Sequence, residues 1–344
     1  MTKRRMITVL AALSLLLCGS LPAAQDDAAP ALPGLATADG EGGAGQLSAQ
    51  ELNTQLSRHL QHIEQLETEL GWSDPALIEA YSDLAAWYRE HDMSEEAMSQ
   101  LTQALYLSRI ATGLQSERQL PIVNQIIDTA SAAGDWVAVD KHKALAFYIG
   151  ARAFSPDDMS YVEMVDDYGR WKTRLVRENL LGLDFRSRNR LAEDASEFYR
   201  RELARIEEEG VIPEAELVSL IHGKSQIDIE VAQSVAATPY TYFEGTASRY
   251  VSETVCDMVR DANGKVSRVC YSVQRENPRY RESQRDAKRF AVQRYLRSVE
   301  LAITRLETIQ NQPVLTAEER DSLTTQIREM EVAADRIGRS ARRY

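Results

Sequence analysis

The sequence predicts a mainly α-helical protein that carries one β-hairpin near its C-terminal end. Over most of the chain, apolar residues recur every three or four positions, which is the spacing of an amphipathic helix. Residues 251–275 instead place β-branched residues on both sides of the turn sequence Asp-Ala-Asn-Gly-Lys. The chain has 344 residues, which is enough for one large helical array or for two domains.

Residues 1–24 have the pattern of a secretory signal peptide. Cations in the first five residues precede a short apolar run, and small residues surround Ala24. The run is shorter than the roughly 20 residues that a membrane-spanning helix needs. We therefore predict a periplasmic or secreted protein that uses the general secretory route. Leu17 stands before Cys18 where bacterial lipoproteins have a small residue, which argues against lipidation, and Arg4 with Arg5 leaves twin-arginine export as an alternative.

The charge is unevenly distributed along the chain. Removing residues 1–24 changes the net charge from −12 to −15, and residues 25–245 carry −20 whereas residues 246–344 carry +5. An acidic body argues against nucleic acid as the main partner. It predicts instead that basic or amphipathic protein segments bind. Contact of the basic C-terminal part with anionic lipid is a further possibility, although interleaved charges on a solvated helix face explain that part as well.

The region after residue 24 begins with a predicted linker and continues with helices. Residues 25–47 are mainly Ala, Gly, Pro and Asp, which favours a flexible segment. In residues 48–70 the apolar side chains share one face, which we expect to be buried against neighbouring helices. Its members are Leu52, Leu56, Leu60, Ile63, Leu66 and Leu70. Gly71 ends this helix, and Pro75 lies in the first turn of the next.

Small and large apolar residues then alternate in a pattern that recurs. In the stretch YSDLAAWYREHDMSEEAMSQLTQAL the core positions are Tyr81, Leu84, Ala85, Tyr88, Ala97, Leu101 and Ala104. A shift of 42 residues finds six fitting residues, and only Lys143 departs. The pattern resembles the tetratricopeptide repeat in its long-helix form, over roughly residues 48–180. This resemblance implies a short stack of antiparallel helix pairs in residues 48–182 that binds a protein or peptide.

Residues 183–344 are predicted to be helical apart from the hairpin, without a visible repeat. A charged helix ends at Gly210, and two short helical pieces follow before the hairpin. The last two helices are predicted at 278–312 and 316–340, and they form an antiparallel pair. Asn277 and Pro278 begin the first of them, and the capping box Thr-Ala-Glu-Glu begins the second. The sequence assigns no role to residues 224–290.

Cys256 and Cys270 flank the hairpin turn symmetrically. A three-residue loop that ends with Gly264 in the left-handed region places the two cysteines directly opposite each other. A two-residue Asn-Gly loop would instead place Cys256 opposite Tyr271, and the cysteines favour the first geometry. Because the chain is predicted to be exported, we expect a disulfide between them. The spacing is not Cys-x-x-Cys, which argues against a redox-active pair.

One face of the hairpin is largely apolar and is expected to pack on a helix. Its apolar residues are Val255, Val259, Val269, Tyr271 and Val273.

The sequence shows no catalytic signature, and we predict neither a cofactor nor a metal site. His59 and His62 with Glu67 are the best metal candidates, but they lack a recognised ligand pattern. The acid pairs 157/158 and 166/167 cannot share a substrate if they lie on helices, because adjacent helix residues diverge, and we interpret them as helix caps. The four tryptophans are expected to pack in the repeat cores. They are Trp72, Trp87, Trp136 and Trp171.

The function most compatible with these features is that of an envelope scaffold or adaptor which binds a protein or peptide. Arg89, Asn124 and Asp128 are candidate partner contacts because they are polar positions on the first helices of predicted pairs. Two alternatives stay open. One is an envelope enzyme, such as a cell-wall hydrolase, with its site in the C-terminal half, and the other is a structural protein that self-associates.

Overall fold

A computed structural model describes residues 48–341. The predicted signal peptide and linker, residues 1–24 and 25–47, lie outside this part. In it the α-helices are α1 (Ala49–Leu70), α2 (Ala76–Glu90), α3 (Ser94–Thr112), α4 (Leu120–Ala132), α5 (Trp136–Ala153), α6 (Met159–Glu178), α7 (Phe185–Glu209), α8 (Val218–Ala237), α9 (Pro278–Gln310) and α10 (Ala317–Ala341). The strands are β1 (Tyr250–Arg260) and β2 (Val266–Glu276). The chain is therefore mainly helical with one hairpin, as predicted.

Helix boundaries follow the capping chemistry of the sequence. The Asn277 side chain accepts from the Arg279 amide at 3.1 Å, and Pro278 opens α9. At the start of α10, the Thr316 amide donates to Glu319 at 2.7 Å and the Glu319 amide donates back to Thr316 Oγ1 at 3.2 Å. This reciprocal pair is the predicted capping box. None of the helices in residues 48–341 combines the length and apolarity that crossing a membrane requires.

Residues from Gln55 onward form one compact unit that consists of packed helix pairs. Successive helices α2 to α7 pack in sequence order, and the pairs α2/α3, α4/α5 and α6/α7 share extensive contacts. Six of the seven core positions of the quoted repeat are buried, and Tyr81 is half-buried with its hydroxyl 3.0 Å from Glu67. At the position where the pattern departs, Lys143 forms an ion pair with Asp167 at 2.7 Å.

The paired arrangement continues beyond Gly182, where the sequence pattern is lost. Helices α8 and α9 pack extensively and run antiparallel, since Lys224 contacts Ser298 whereas Gln284, earlier in α9, contacts the carbonyl of Phe243, which follows α8. Helix α8 also lies parallel to α6, since Asp166 meets Ser219 and Arg177 meets Glu230. Half of the residues of α8 are buried. Its apolar residues therefore do not form the narrow stripe by which an amphipathic helix is recognised in a sequence.

Helix α8 is continuous, whereas two short pieces were predicted. A 3-10 turn, Glu214–Leu217, precedes it, and Gly223 lies within it. This glycine does not break the helix because its bare backbone accommodates the ring of Tyr199, whose hydroxyl oxygen lies 2.5 Å from where a Cβ would be. Packing therefore overrides the poor helix propensity of glycine at this position.

Two predictions about the N-terminal helices are wrong. From Gln55 on, the apolar stripe of α1 buries only Ile63, and Leu60 and Leu70 are exposed. Trp72 is also exposed, at 65 %, whereas Trp87 and Trp171 are buried as expected. Trp72 follows Gly71 in the loop between α1 and α2.

The hairpin has the predicted register. Asp261 pairs with Lys265, Gly264 has φ +79°, and Cys256 lies directly opposite Cys270 with their Cα atoms 4.0 Å apart. A disulfide joins the two cysteines. The predicted packing of the hairpin on a helix is wrong, because both strands are exposed along nearly their whole length. Its base is tied to the start of α9 through Asn277, and the strands then extend away from the helices.

We expect the disulfide to stabilise the hairpin without stabilising the helices. A two-stranded hairpin is marginal in water, and closing a loop of about 15 residues supplies roughly 3 kcal/mol in the chain-entropy model. Replacing both cysteines with alanine should remove hydrogen-exchange protection from residues 250–276 and leave the helical unfolding transition unchanged. Loss of helical stability in that variant would show that the hairpin supports the helices.

Candidate functional site

The three predicted partner contacts are all exposed. Asn124 and Asp128 are one turn apart on the outer face of α4, and Arg89 lies in the last turn of α2. All three lie on the first helices of their pairs, where the sequence placed them. Whether a partner binds there stays a prediction.

The predicted metal candidates do not form a site. Glu67 accepts a hydrogen bond from the Tyr81 hydroxyl at 3.0 Å, and His59 lies beside the ring of Trp87 instead. Within residues 48–341 no group of three or more His, Cys, Asp or Glu side chains is placed to hold a metal ion.

The two acid pairs lie in different settings. Asp157 and Asp158 precede α6, and Asp158 occupies its N-cap position without a side-chain capping hydrogen bond. Asp166 and Asp167 lie in the middle of α6, so the capping interpretation is wrong for them. Asp166 accepts from the Ser219 hydroxyl at 2.6 Å, and Asp167 pairs with Lys143 on α5. These carboxylates join helices and do not face a common cavity.

A buried polar cluster joins α7, α8 and α9. Asp228 is 1 % exposed and accepts hydrogen bonds from Ser196 at 2.5 Å, Ser298 at 2.7 Å and Lys224 at 2.6 Å. Lys224 Nζ also lies 2.6 Å from Ser298 Oγ. A serine next to a lysine is the nearest approach to a catalytic pair in the described residues. However, Ser298 donates its proton to Asp228, and Lys224 donates to both, so neither is arranged as a nucleophile with its base.

The hairpin presents an exposed apolar face, which we call the valine face. Alternate residues of a strand point to opposite sides, so the odd-numbered residues of β1 and β2 share this face. Four of its apolar side chains are 41–48 % exposed and two are half-buried. The exposed members are Val251, Val259, Val269 and Tyr271, and the half-buried ones are Val255 and Val273.

The charged side chains of the valine face each have a partner on that face. Glu253 forms an ion pair with Arg275 at 3.1 Å, and Asp257 accepts from the Tyr271 hydroxyl at 2.7 Å. This hydrogen bond raises the pKa of Tyr271. These groups bind each other across the strands. The valine side chains between them are therefore available for apolar contacts. The opposite face is less uniformly apolar, since it carries the disulfide and several polar residues besides the exposed side chains of Tyr250, Met258 and Val266.

The sequence did not single out a cleft that lies beside α6 and α8. Arg170, Arg174 and Arg177 line it, and they follow the spacing i, i+4, i+7 that places them on one helix face. That spacing is visible in the sequence, but surface charges at such positions are common and carry little information without the neighbouring helix.

Comparison with known proteins adds no family to these observations. No family model matches the chain, and no curated protein matches it. The resemblance to tetratricopeptide repeats therefore stays an interpretation of the residues and of the helix pairs.

Proposed function

We propose that this protein is an exported envelope adaptor that binds a protein partner, and that the valine face of the hairpin is its principal contact surface. The helix pairs form the body that carries the hairpin. The observation that supports this proposal is an apolar face of six side chains without a covering element in the described residues.

Exposing the valine face to water is unfavourable in free energy unless another surface covers it. Exposed apolar patches on a soluble protein mark interaction sites or aggregation hazards, and unpaired strand edges add to the hazard. Here the chain keeps the patch and stabilises it with a disulfide at the centre of the strands. A surface that is both apolar and conformationally restrained loses little entropy on binding.

The size of the face favours an extended segment of another protein over a second copy of this chain. Strands of 11 residues are about 37 Å long. Two strands then offer roughly 350 Å² per face, and face-to-face packing of two copies buries roughly 700 Å², below the 1,200 Å² of a stable interface. A segment of another protein that pairs with a free edge of the hairpin gains backbone hydrogen bonds, and its alternate apolar side chains lie on the same side as the valine face, beside those of the edge strand. We therefore assign an extended segment with alternating apolar residues as the occupant.

The test compares lysine substitutions on the two faces of the hairpin. Val259→Lys with Val269→Lys places two positive charges on the valine face, and Met258→Lys places one on the opposite face, where Met258 is 69 % exposed. Each tagged protein is purified from the envelope after in vivo crosslinking. We expect a partner that is lost with the double variant and retained with Met258→Lys.

Two results would contradict the proposal. Equal recovery of all partners by both variants would show that the valine face is not a contact surface. Crosslinking of two differently tagged copies of this chain, abolished by the double variant, would replace the adaptor with a self-associating protein.

A further inference from the structure

The cleft beside α6 and α8 has features of a small ligand site that are independent of the hairpin. Its volume is about 520 Å³. Arg170, Arg174 and Arg177 of α6 line one wall, over an axial distance of about 10 Å. Gln226 of α8 lines the other wall, and Tyr199 of α7 lies between the two helices.

The arginines keep donors available for a ligand. Each is near a carboxylate, and in each case the closest contact is through Nε: Arg170 to Asp166 at 3.1 Å, Arg174 to Glu178 at 3.0 Å and Arg177 to Glu230 at 3.4 Å. A guanidinium has five N–H donors, so its terminal nitrogens retain donors when Nε is occupied. The three arginine side chains are also 48–66 % exposed, and ion pairs at such exposure contribute little energy that a ligand must replace.

Tyr199 supplies an unusual polar group beneath the cleft. Its side chain is completely buried, and its hydroxyl makes no hydrogen bond of acceptable geometry. The nearby Thr173 hydroxyl donates to the Gly169 carbonyl at 3.0 Å. Burial raises the pKa of Tyr199, so its hydroxyl keeps the proton, and the interaction with Thr173 opposes that rise only partly. A buried donor without a proper acceptor lowers stability, and in a native protein such a group calls for an explanation, of which a bound water or ion is one.

We propose that this cleft binds an oxyanion group of a small ligand, with Arg174 and Arg177 as its main donors and the Tyr199 hydroxyl as a donor from below. Planar guanidinium groups bind carboxylate and phosphate oxygens through paired hydrogen bonds. Because each arginine lies near a carboxylate, and Glu178 also lines the cleft, the cluster has no net positive charge, and the proposal depends on its hydrogen-bond donors. The site does not depend on the partner-binding proposal.

The test is calorimetric titration of the full-length exported protein with sodium phosphate and, in a separate arm, with sodium succinate, each at matched ionic strength. We expect saturable binding of at least one anion, and the arm that binds identifies phosphate or carboxylate as the ligand group. Arg174→Gln with Arg177→Gln should weaken binding by at least about tenfold, as expected for lost charge-assisted hydrogen bonds. Arg339→Gln is the control, since Arg339 forms a similarly exposed pair with Asp335 on α10.

Tyr199→Phe separates a binding role from a structural one. Removing an unpaired buried hydroxyl should leave the unfolding temperature unchanged or raise it, while anion binding weakens several-fold. The proposal is overturned if neither anion binds at millimolar concentration, or if Arg339→Gln weakens binding as much as the double variant. A Tyr199→Phe protein that is destabilised but binds normally would overturn the role of Tyr199.

Discussion

Replacing Asp228 with alanine should lower the free energy of unfolding by about 3 kcal/mol, which is within the range for a broken buried ion pair. Asp228 is 1 % exposed and holds three donors from three helices, namely Ser196, Lys224 and Ser298. Its removal leaves the Lys224 ammonium without a carboxylate and two hydroxyls without their acceptor. The loss is expected at the lower end of the range because the Lys224 side chain is 19 % exposed and keeps partial access to water.

Urea unfolding followed by far-ultraviolet circular dichroism measures this loss, and Asp335→Ala is the matched control. Asp335 also has a cationic partner one helical turn away, Arg339, but the two side chains are 78 % and 67 % exposed. Exposed pairs contribute between zero and about 1 kcal/mol, so the control should change stability very little. Similar effects of the two substitutions would show that the Asp228 cluster does not hold α7, α8 and α9 together.

Replacing Gly169 with alanine should destabilise the protein, although alanine is the better helix former. Gly169 lies within α6, and a Cβ there would be 2.4 Å from Tyr199 Cζ. The ring cannot move away easily, because it also packs against Gly223 of α8, where a Cβ would lie 2.5 Å from the Tyr199 hydroxyl oxygen. Overpacking a core typically costs 1–3 kcal/mol, against a gain in propensity of about 0.5–1 kcal/mol. We expect a net loss of about 1–2 kcal/mol.

Gly338→Ala is a control for which we expect a change in stability of the opposite sign. Gly338 also lies within a helix, α10, but a Cβ there would meet only Leu296 at an ordinary distance of 3.9 Å. This substitution should stabilise the protein by about 0.5–1 kcal/mol through propensity alone. Thermal and urea unfolding of both variants measure the difference. Stabilisation by Gly169→Ala would mean that Tyr199 is not held between the two glycines.

Local chemistry made the hairpin and the helix ends predictable from the sequence. The Asp-Ala-Asn-Gly-Lys turn determines the register, and the register places Cys256 opposite Cys270. The Asn277 cap and the Thr316–Glu319 box likewise depend only on residues a few positions apart. Such features require no knowledge of the tertiary structure.

Features that depend on tertiary packing were not predictable. The valine alternation of the hairpin indicates one apolar face, but alternation does not say whether anything covers it, and the packing prediction failed there. Two short helical pieces were predicted where α8 is continuous, because the position of Tyr199, 24 residues before Gly223, is not visible locally. The three arginines on α6 form a candidate site only together with Tyr199 of α7 and Gln226 of α8, which the fold places beside them.

The most direct test of partner binding is site-specific photocrosslinking from the hairpin in living cells. A photoreactive phenylalanine analogue at position 259 lies on the valine face, and the same residue at position 258 lies on the opposite face. We predict one adduct of defined mass at position 259 that is absent or much weaker at position 258, and whose added mass differs from that of this chain. Absence of an adduct at position 259, or equal adducts at both positions, would contradict the proposal that the valine face binds a protein partner.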